Sequence, residues 1–221
     1  MTGPRLGDLI AAGGVLLRCR GCLGPLDTQA EAGLCGRCWA GLVALPEDRC
    51  PRCALVHAPE GRCADPTPWT LGDALWDYHG GRPAIGPLLV PAAKARERGW
   101  RRALLRRLWA MPLPPWVSEV DALTPVPGTP WRLLLTGADL AGEATSQLAA
   151  RIGRPCRSLL RKGWTAGQQS RRSSSARRRL GASVVRLRPS ARVSGLRLLL
   201  VDDVWTTGAT LRRSTQALLA A

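Results

Sequence analysis

Hydrophobic positions along the chain fall into a few separable patterns. Around Leu6–Leu17 the spacing predicts a short helix, and Leu71–Tyr78 reads as a strand. From Leu88 to Trp109 apolar Leu104, Leu105, Leu108 and Trp109 alternate with Arg101, Arg102, Arg106 and Arg107, the pattern of a basic amphipathic helix that Pro112 ends. Val120–Val126 reads as a strand, Leu140–Ile152 as a helix with Ala141, Ala144, Leu148 and Ile152 on one face, and Cys156 as part of a further strand, where a small buried thiol is expected. Leu198–Val201 is continuously apolar, as a strand buried on both faces of a parallel sheet would be, and Leu211–Leu219 reads as the helix after it. Strands that alternate with helices predict an α/β domain with a parallel sheet.

The first third is different. Cys19, Cys22, Cys35, Cys38, Cys50, Cys53 and Cys63 precede residue 64, and only Cys156 follows it. The proline-rich stretch from Cys63 to Trp69 has no periodicity, so the domain boundary is expected there, with residues 1–68 as one module and 69–221 as another.

Cys19-Arg-Gly-Cys22 and Cys35-Gly-Arg-Cys38 form a CxxC…CxxC set. Each CxxC turn aims two thiolates at one point, and two turns complete the tetrahedron that zinc prefers, with a redox dithiol or an oxidised pair as the alternatives. Gly21 and Gly36 are expected to ease the turns. Cys50-Pro-Arg-Cys53 starts a second set, closed by Cys63, but Glu60 stands where the matching cysteine would be. His57 is read as the fourth ligand, with Glu60, or no second metal, as the alternatives. Four thiolates leave no open coordination position, so the zinc is expected to be structural.

A second constellation lies near the other end. Asp202 and Asp203 follow the apolar run, then Thr206, Thr207, Gly208, Ala209 and Thr210 lead into the helix. Open α/β sheets bind ligands at the carboxyl ends of their strands. Small residues let a phosphate approach the backbone, and helix-start amides are unpaired donors at the positive end of the dipole. Two carboxylates can accept two ribose hydroxyls and assist a magnesium ion. A threonine-capped helix would explain the hydroxyls but not the paired aspartates.

Leu199-Leu-Val-Asp-Asp-Val-Trp-Thr-Thr-Gly-Ala-Thr210 resembles the phosphoribosyl-pyrophosphate (PRPP) motif of type I phosphoribosyltransferases. With the cysteine pairs, nearly the whole chain resembles the ComF/GntX family, a double zinc ribbon fused to a phosphoribosyltransferase-like domain. Tyr78 followed by Ala93-Lys94, Asp121-Ala-Leu-Thr-Pro-Val-Pro127 and Thr165-Ala-Gly-Gln168 match further family stretches in order. Thr136-Gly-Ala-Asp-Leu140 stands where the family has RGFNQ, and the family's last strand is expected to be missing after Ala221. The resemblance implies binding of PRPP or a related ribose phosphate with magnesium, and magnesium-dependent phosphoribosyl transfer as the chemistry. It gives Arg132 or the arginines at 171–179 to the pyrophosphate, the latter on a basic lid, and implies a role in DNA uptake during competence.

Composition adds a rival. Of 221 residues, 45% are hydrophobic and 22% charged, and 32 basic residues against 16 acidic ones leave a net charge of +16. Lys94 and Lys162 are the only lysines. That balance excludes an acidic binding protein and favours phosphate-bearing partners. The alternative is therefore a zinc-ribbon nucleic-acid-binding protein, its arginines on single-stranded DNA and its transferase-like domain a non-catalytic scaffold. No run of about eighteen apolar residues predicts a membrane span. Met1–Leu17 lacks the pattern of a secretory signal, so a cytoplasmic location with reduced cysteines is expected.

Overall fold

The computed structural model describes residues 18–54, 63, 67–80, 84–95, 98–163 and 185–221. Helix Leu6–Leu17, His57, Glu60, Thr165–Gln168 and the arginines at 171–179 lie outside them.

The chain forms two compact units, one drawn from Met1–Ala44 and Trp76–Leu89, the other from Leu45–Leu75 and Val90–Ala221. Cys50, Cys53 and Cys63 thus belong to the unit that also holds the C-terminal elements.

The first unit has little regular structure. Antiparallel bridges pair Arg18 with Pro25, Glu31 with Leu34 and Ala44 with Trp76. Helix α1 (Gly36–Ala40) carries Cys38 and Trp39, and both are buried. The Trp39 indole N–H donates to the Glu31 carbonyl at 3.0 Å. Leu34, Ile85 and Leu89 are fully or almost fully enclosed and form the apolar part of its core. The strand expected at Leu71–Tyr78 is reduced to the bridge at Trp76.

The expected long basic helix is two helices. Helix α2 (Gly86–Lys94) ends in a turn at Ala95, and α3 (Arg98–Ala110) begins afresh. Pro91, inside α2, removes one backbone donor there. Trp100, Ala103, Leu104 and Leu105 of α3 are buried. A 3-10 turn (Pro115–Glu119) leads to β1 (Ala122–Pro125), followed by α4 (Pro130–Thr136) and α5 (Leu140–Ile152).

Helix α5 spans the residues its periodicity predicts, and local chemistry sets both ends. The Asp139 carboxylate accepts the Gly142 N–H at the start, and Gly153 at φ 67° closes the end. The short α4 ends at Gly137, so the Thr136-to-Leu140 stretch is the corner between two helices, and Asp139 serves there as a cap.

Strand β4 (Leu198–Val201) runs parallel to β1, with Ala122 opposite Leu198 and Pro125 opposite Val201. Cys156 makes a parallel bridge to Leu123. The Leu123 N–H donates to the Pro155 carbonyl, and the Arg157 N–H to the Leu123 carbonyl. β1 is therefore central, between β4 and residue 156. Helix α5 packs on β1 and β4 and covers one face. Val120, Leu123 and Ala149 form the core there, joined by Leu148, Ile152, Leu199 and Val201.

Two expectations change. All four β4 residues are only half-buried, because β4 pairs with β1 alone among the described residues. Cys156 is exposed, its sulfur 3.7 Å from Ser146 Oγ of α5, since among the described residues it is joined to the sheet only by its bridge to Leu123. A separate antiparallel pair, β2 (Leu160–Lys162) with β3 (Val185–Leu187), packs on α6 (Ala209–Leu219). The architecture is a mixed α/β arrangement with a small parallel sheet and cysteine clusters toward the N-terminus. Among the described residues no helix is long and apolar enough to cross a membrane.

Candidate functional site

Two cysteine groups each bring their sulfurs within 4.8 Å of one another: Cys19, Cys22, Cys35 and Cys38, and Cys50, Cys53 and Cys63. In the first, Cys19 and Cys38 sulfurs are 3.5 Å apart, and those of Cys22 and Cys35 3.7 Å. Zinc–sulfur bonds of 2.3 Å in a tetrahedron put sulfurs about 3.8 Å apart, while a disulfide bond is about 2.05 Å. The spacing fits four ligands around one ion.

The backbone explains why. Cys19-to-Cys22 closes with the Leu23 N–H on the Cys19 carbonyl at 2.8 Å, and the Gly21 and Cys35 amides each donate to Cys19 Sγ at 3.3 Å. Leu23, just after the second cysteine, has φ 59°. Left-handed backbone is uncommon without glycine and marks an over-determined turn. Neither Gly21 nor Gly36 has the positive φ that the tight-turn expectation implies. Each is instead required by close approach: a Cβ on Gly21 would lie 2.9 Å from Cys38 Sγ and 3.1 Å from Leu34 and Ile85. One on Gly36 would lie 2.5 Å from Gln29 Oε1.

Electrostatics favour thiolates here. Burial pushes the Cys19 thiol up, but hydrogen bonds from Cys22, Cys35, Gly21 and Cys38 outweigh it and bring its pKa from 9.0 to about 6. The Gly24 amide and then the Arg37 guanidinium lower Cys22. Burial first, and then the neighbouring sulfurs, raise Cys38. A cation at the centre would reverse that penalty.

The second group repeats the same turn. The Ala54 N–H donates to the Cys50 carbonyl at 2.9 Å, the Arg52 N–H to Cys50 Sγ at 3.5 Å, and Ala54 has φ 58°. Cys50 and Cys63 sulfurs are 3.2 Å apart, and those of Cys63 and Cys53 3.8 Å. Amides of Arg52 and Cys53 lower Cys50 to about 6, while its hydrogen bond to Cys50 and burial push Cys63 up to about 11. These three thiols can hold a metal ion; His57, expected as the fourth ligand, and its alternative Glu60 are outside the described residues.

The acidic pair stands at the carboxyl end of β4. Asp202 and Asp203 are half-buried, and the Asp203 N–H donates to Asp202 Oδ1 at 2.9 Å. Burial, and then repulsion from Asp203, raise Asp202 from 3.8 to about 6. Lys94 Nζ at the end of α2 donates to Asp203 Oδ1 at 2.7 Å. Gly208, at φ 68°, is the N-cap of α6, and the Ala209 N–H points at Thr207 Oγ1 at 3.4 Å. Asp202 and residues 206–210 line one small concavity; Asp203 is turned to Lys94 instead.

The sequence assigned no role to Lys94, 109 residues from its partner. Its traces are its place in the Ala93-Lys94 stretch that resembles the family and its being one of two lysines in a chain with 32 basic residues. Trp205 belongs to the stretch that resembles the PRPP motif, and it lies inside the turn. The side chain of Arg132 is not among those described. Elsewhere, Arg98, Arg101, Arg102 and Arg106 of α3 line a cleft of about 490 Å³ with Glu143 and Gln147 of α5. Arg101 is paired to Glu143 at 3.0 Å.

Compared with known proteins, the chain matches no family model, no curated protein and no solved structure.

Proposed function

We propose that the chain binds a ribose phosphate, with PRPP as the reference ligand, at the carboxyl end of β4, as its resemblance to the ComF/GntX family implies. The observation that carries the reading is the shared concavity of Asp202 and residues 206–210 at the start of α6. The carboxylates accept ribose hydroxyls. The backbone at Gly208–Thr210 receives the 5′-phosphate, where amides and helix dipole favour an anion. Lys94 holds Asp203 in place and offsets part of the negative charge that would otherwise repel phosphate. Magnesium would accompany the ligand's own phosphates, with Asp202, which lines the concavity, as a carboxylate that could assist it. Zinc in the cysteine groups is structural, and clustered cysteines without disulfides suit a reducing, cytoplasmic setting. A role in DNA uptake and phosphoribosyl-transfer chemistry are the further expectations of the resemblance.

Titration calorimetry with PRPP and magnesium tests this. Asp202→Asn with Asp203→Asn should weaken binding by tenfold or more, since charge-assisted hydrogen bonds contribute roughly 1.5–3 kcal/mol each. Gly208→Val should abolish it, because φ 68° and the Trp205 indole leave no room for a side chain. Parent-like affinity in the double variant sinks the assignment.

The arginine cleft on α3 favours one further reading, a site for the backbone of single-stranded DNA. Affinity for a short oligonucleotide should then fall steeply with salt and be weakened by Arg102→Glu. Salt-independent binding, or none, rejects it.

A further inference from the structure

The second cysteine group and the loop at 204–208 are joined by a short chain of contacts. Segment 67–73 clasps the Cys50–Cys53 turn at several points. The Gly72 N–H donates to the Pro51 carbonyl at 2.8 Å, and the Trp69 indole N–H to the Arg52 carbonyl at 2.7 Å. The Arg52 guanidinium donates to the Thr67 carbonyl at 3.2 Å, and Arg49 grips Asp73 with two bonds of 2.7 and 2.9 Å.

From this clasp Trp69 meets Trp205 edge to face, centroids 5.5 Å apart at 82°. Trp205 in turn lies over Gly208: a methyl group there would come within 3.0 Å of its indole nitrogen. Gly72 sits beneath both rings, and a Cβ on it would lie 2.9 Å from Trp69 Nε1 and 3.2 Å from Trp205 Cη2. Every link is a direct contact, and Trp69, Gly72 and Trp205 are each half-buried. Displacing the Arg52 carbonyl therefore displaces the Trp69 ring, and with it the support of the loop.

We propose that metal at Cys50, Cys53 and Cys63 sets the conformation of the 204–208 loop through Trp69 and Trp205, so that filling this site strengthens ribose-phosphate binding. The ligand half of the statement rests on the function proposed above; the coupling half does not. Three thiolates gathered by one cation hold the 50–54 turn, with its left-handed Ala54, in a single shape. Without the ion, the left-handed strain at Ala54 acts against that shape. The loop then has to be ordered by the ligand, which lowers affinity. Trp69 and Trp205 are positioning residues: they touch the turn and the loop, not the ligand.

The test uses the full chain with zinc and three variants: Cys53→Ser, Trp69→Leu and the two combined. Hydrogen exchange at residues 204–210, without ligand, reads the coupling directly, and titration with PRPP and magnesium reads its consequence. Each single variant should speed exchange at 204–210 and weaken PRPP by about tenfold, inside the usual 5–150-fold range of coupling between sites. Protection around Cys19–Cys38 should stay as in the parent, which separates a local effect from general unfolding. The double variant should be no worse than either single one, because both break one path. Exchange at 204–210 that is unchanged by Cys53→Ser, or effects that add in the double variant, overturns the proposal. Failure of the parent to bind PRPP overturns the ribose-phosphate function alone, and the exchange comparison still decides the coupling.

Discussion

Replacing Asp202 with asparagine should stabilise the protein at neutral pH while weakening its ligand site. Asp202 is half-buried beside Asp203, and burial followed by that repulsion raises it from 3.8 to about 6. At 1.36 kcal/mol per pH unit the rise corresponds to about 2–3 kcal/mol. Its sign follows from which state holds the proton longer. The folded pKa is the higher one, so the associated stability is fully present below about pH 3.8 and is lost as pH climbs through about 6. The parent carries the whole cost at pH 7. Asparagine has no charge to desolvate, and its side-chain oxygen can still accept the Asp203 N–H that now reaches Asp202 Oδ1 at 2.9 Å. The variant should therefore be more stable by about 2 kcal/mol near pH 7.5 and by much less near pH 4.5. Urea unfolding of both proteins across that range, followed by tryptophan fluorescence, measures the difference. Asp121, lowered by the Arg197 amide and guanidinium, changes stability in the opposite direction, but it is common to both proteins and cancels. A stability gain that does not grow with pH, or a variant less stable than the parent at neutral pH, refutes this account of Asp202. The combination of higher stability with lost affinity is what a ligand site held under electrostatic strain should show.

Three more outcomes are expected. Cys38→Ser should remove about one equivalent of zinc by metal analysis and loosen the first unit, whereas retention of full metal content would show that the first cluster is not a site. Gly21→Ala should cost roughly 1–3 kcal/mol and speed zinc loss to a chelator, because the new methyl group would stand 2.9 Å from Cys38 Sγ; an unchanged release rate contradicts the packing described. Lys94→Met should destabilise by about 2 kcal/mol, since it leaves Asp203, 17% exposed, uncompensated beside Asp202. Adding Asp203→Asn should restore most of the loss in a thermal melt, and no recovery would mean that the ion pair is not what Lys94 contributes.

Features written in contiguous residues were legible before any fold was known. Helix α5 follows from its apolar spacing and β4 from four consecutive apolar residues. The cysteine turns follow from CxxC spacing, because two ligands three residues apart meet through local backbone geometry alone. The candidate ligand turn was legible for the same reason: Asp202 to Thr210 is one continuous stretch. Tertiary structure decided the rest. It broke the basic helix into α2 and α3, left Cys156 exposed, and placed the second cysteine group in the unit of the C-terminal elements. It brought Lys94 to Asp203 and Trp69 to Trp205, residues more than a hundred positions apart. It also set the protonation of Asp202, since burial and a neighbouring charge depend on what folds over the strand end. Local patterns encode elements and turns because few residues determine them. Contacts between distant residues, and the electrostatics those contacts create, come into being only when the chain packs.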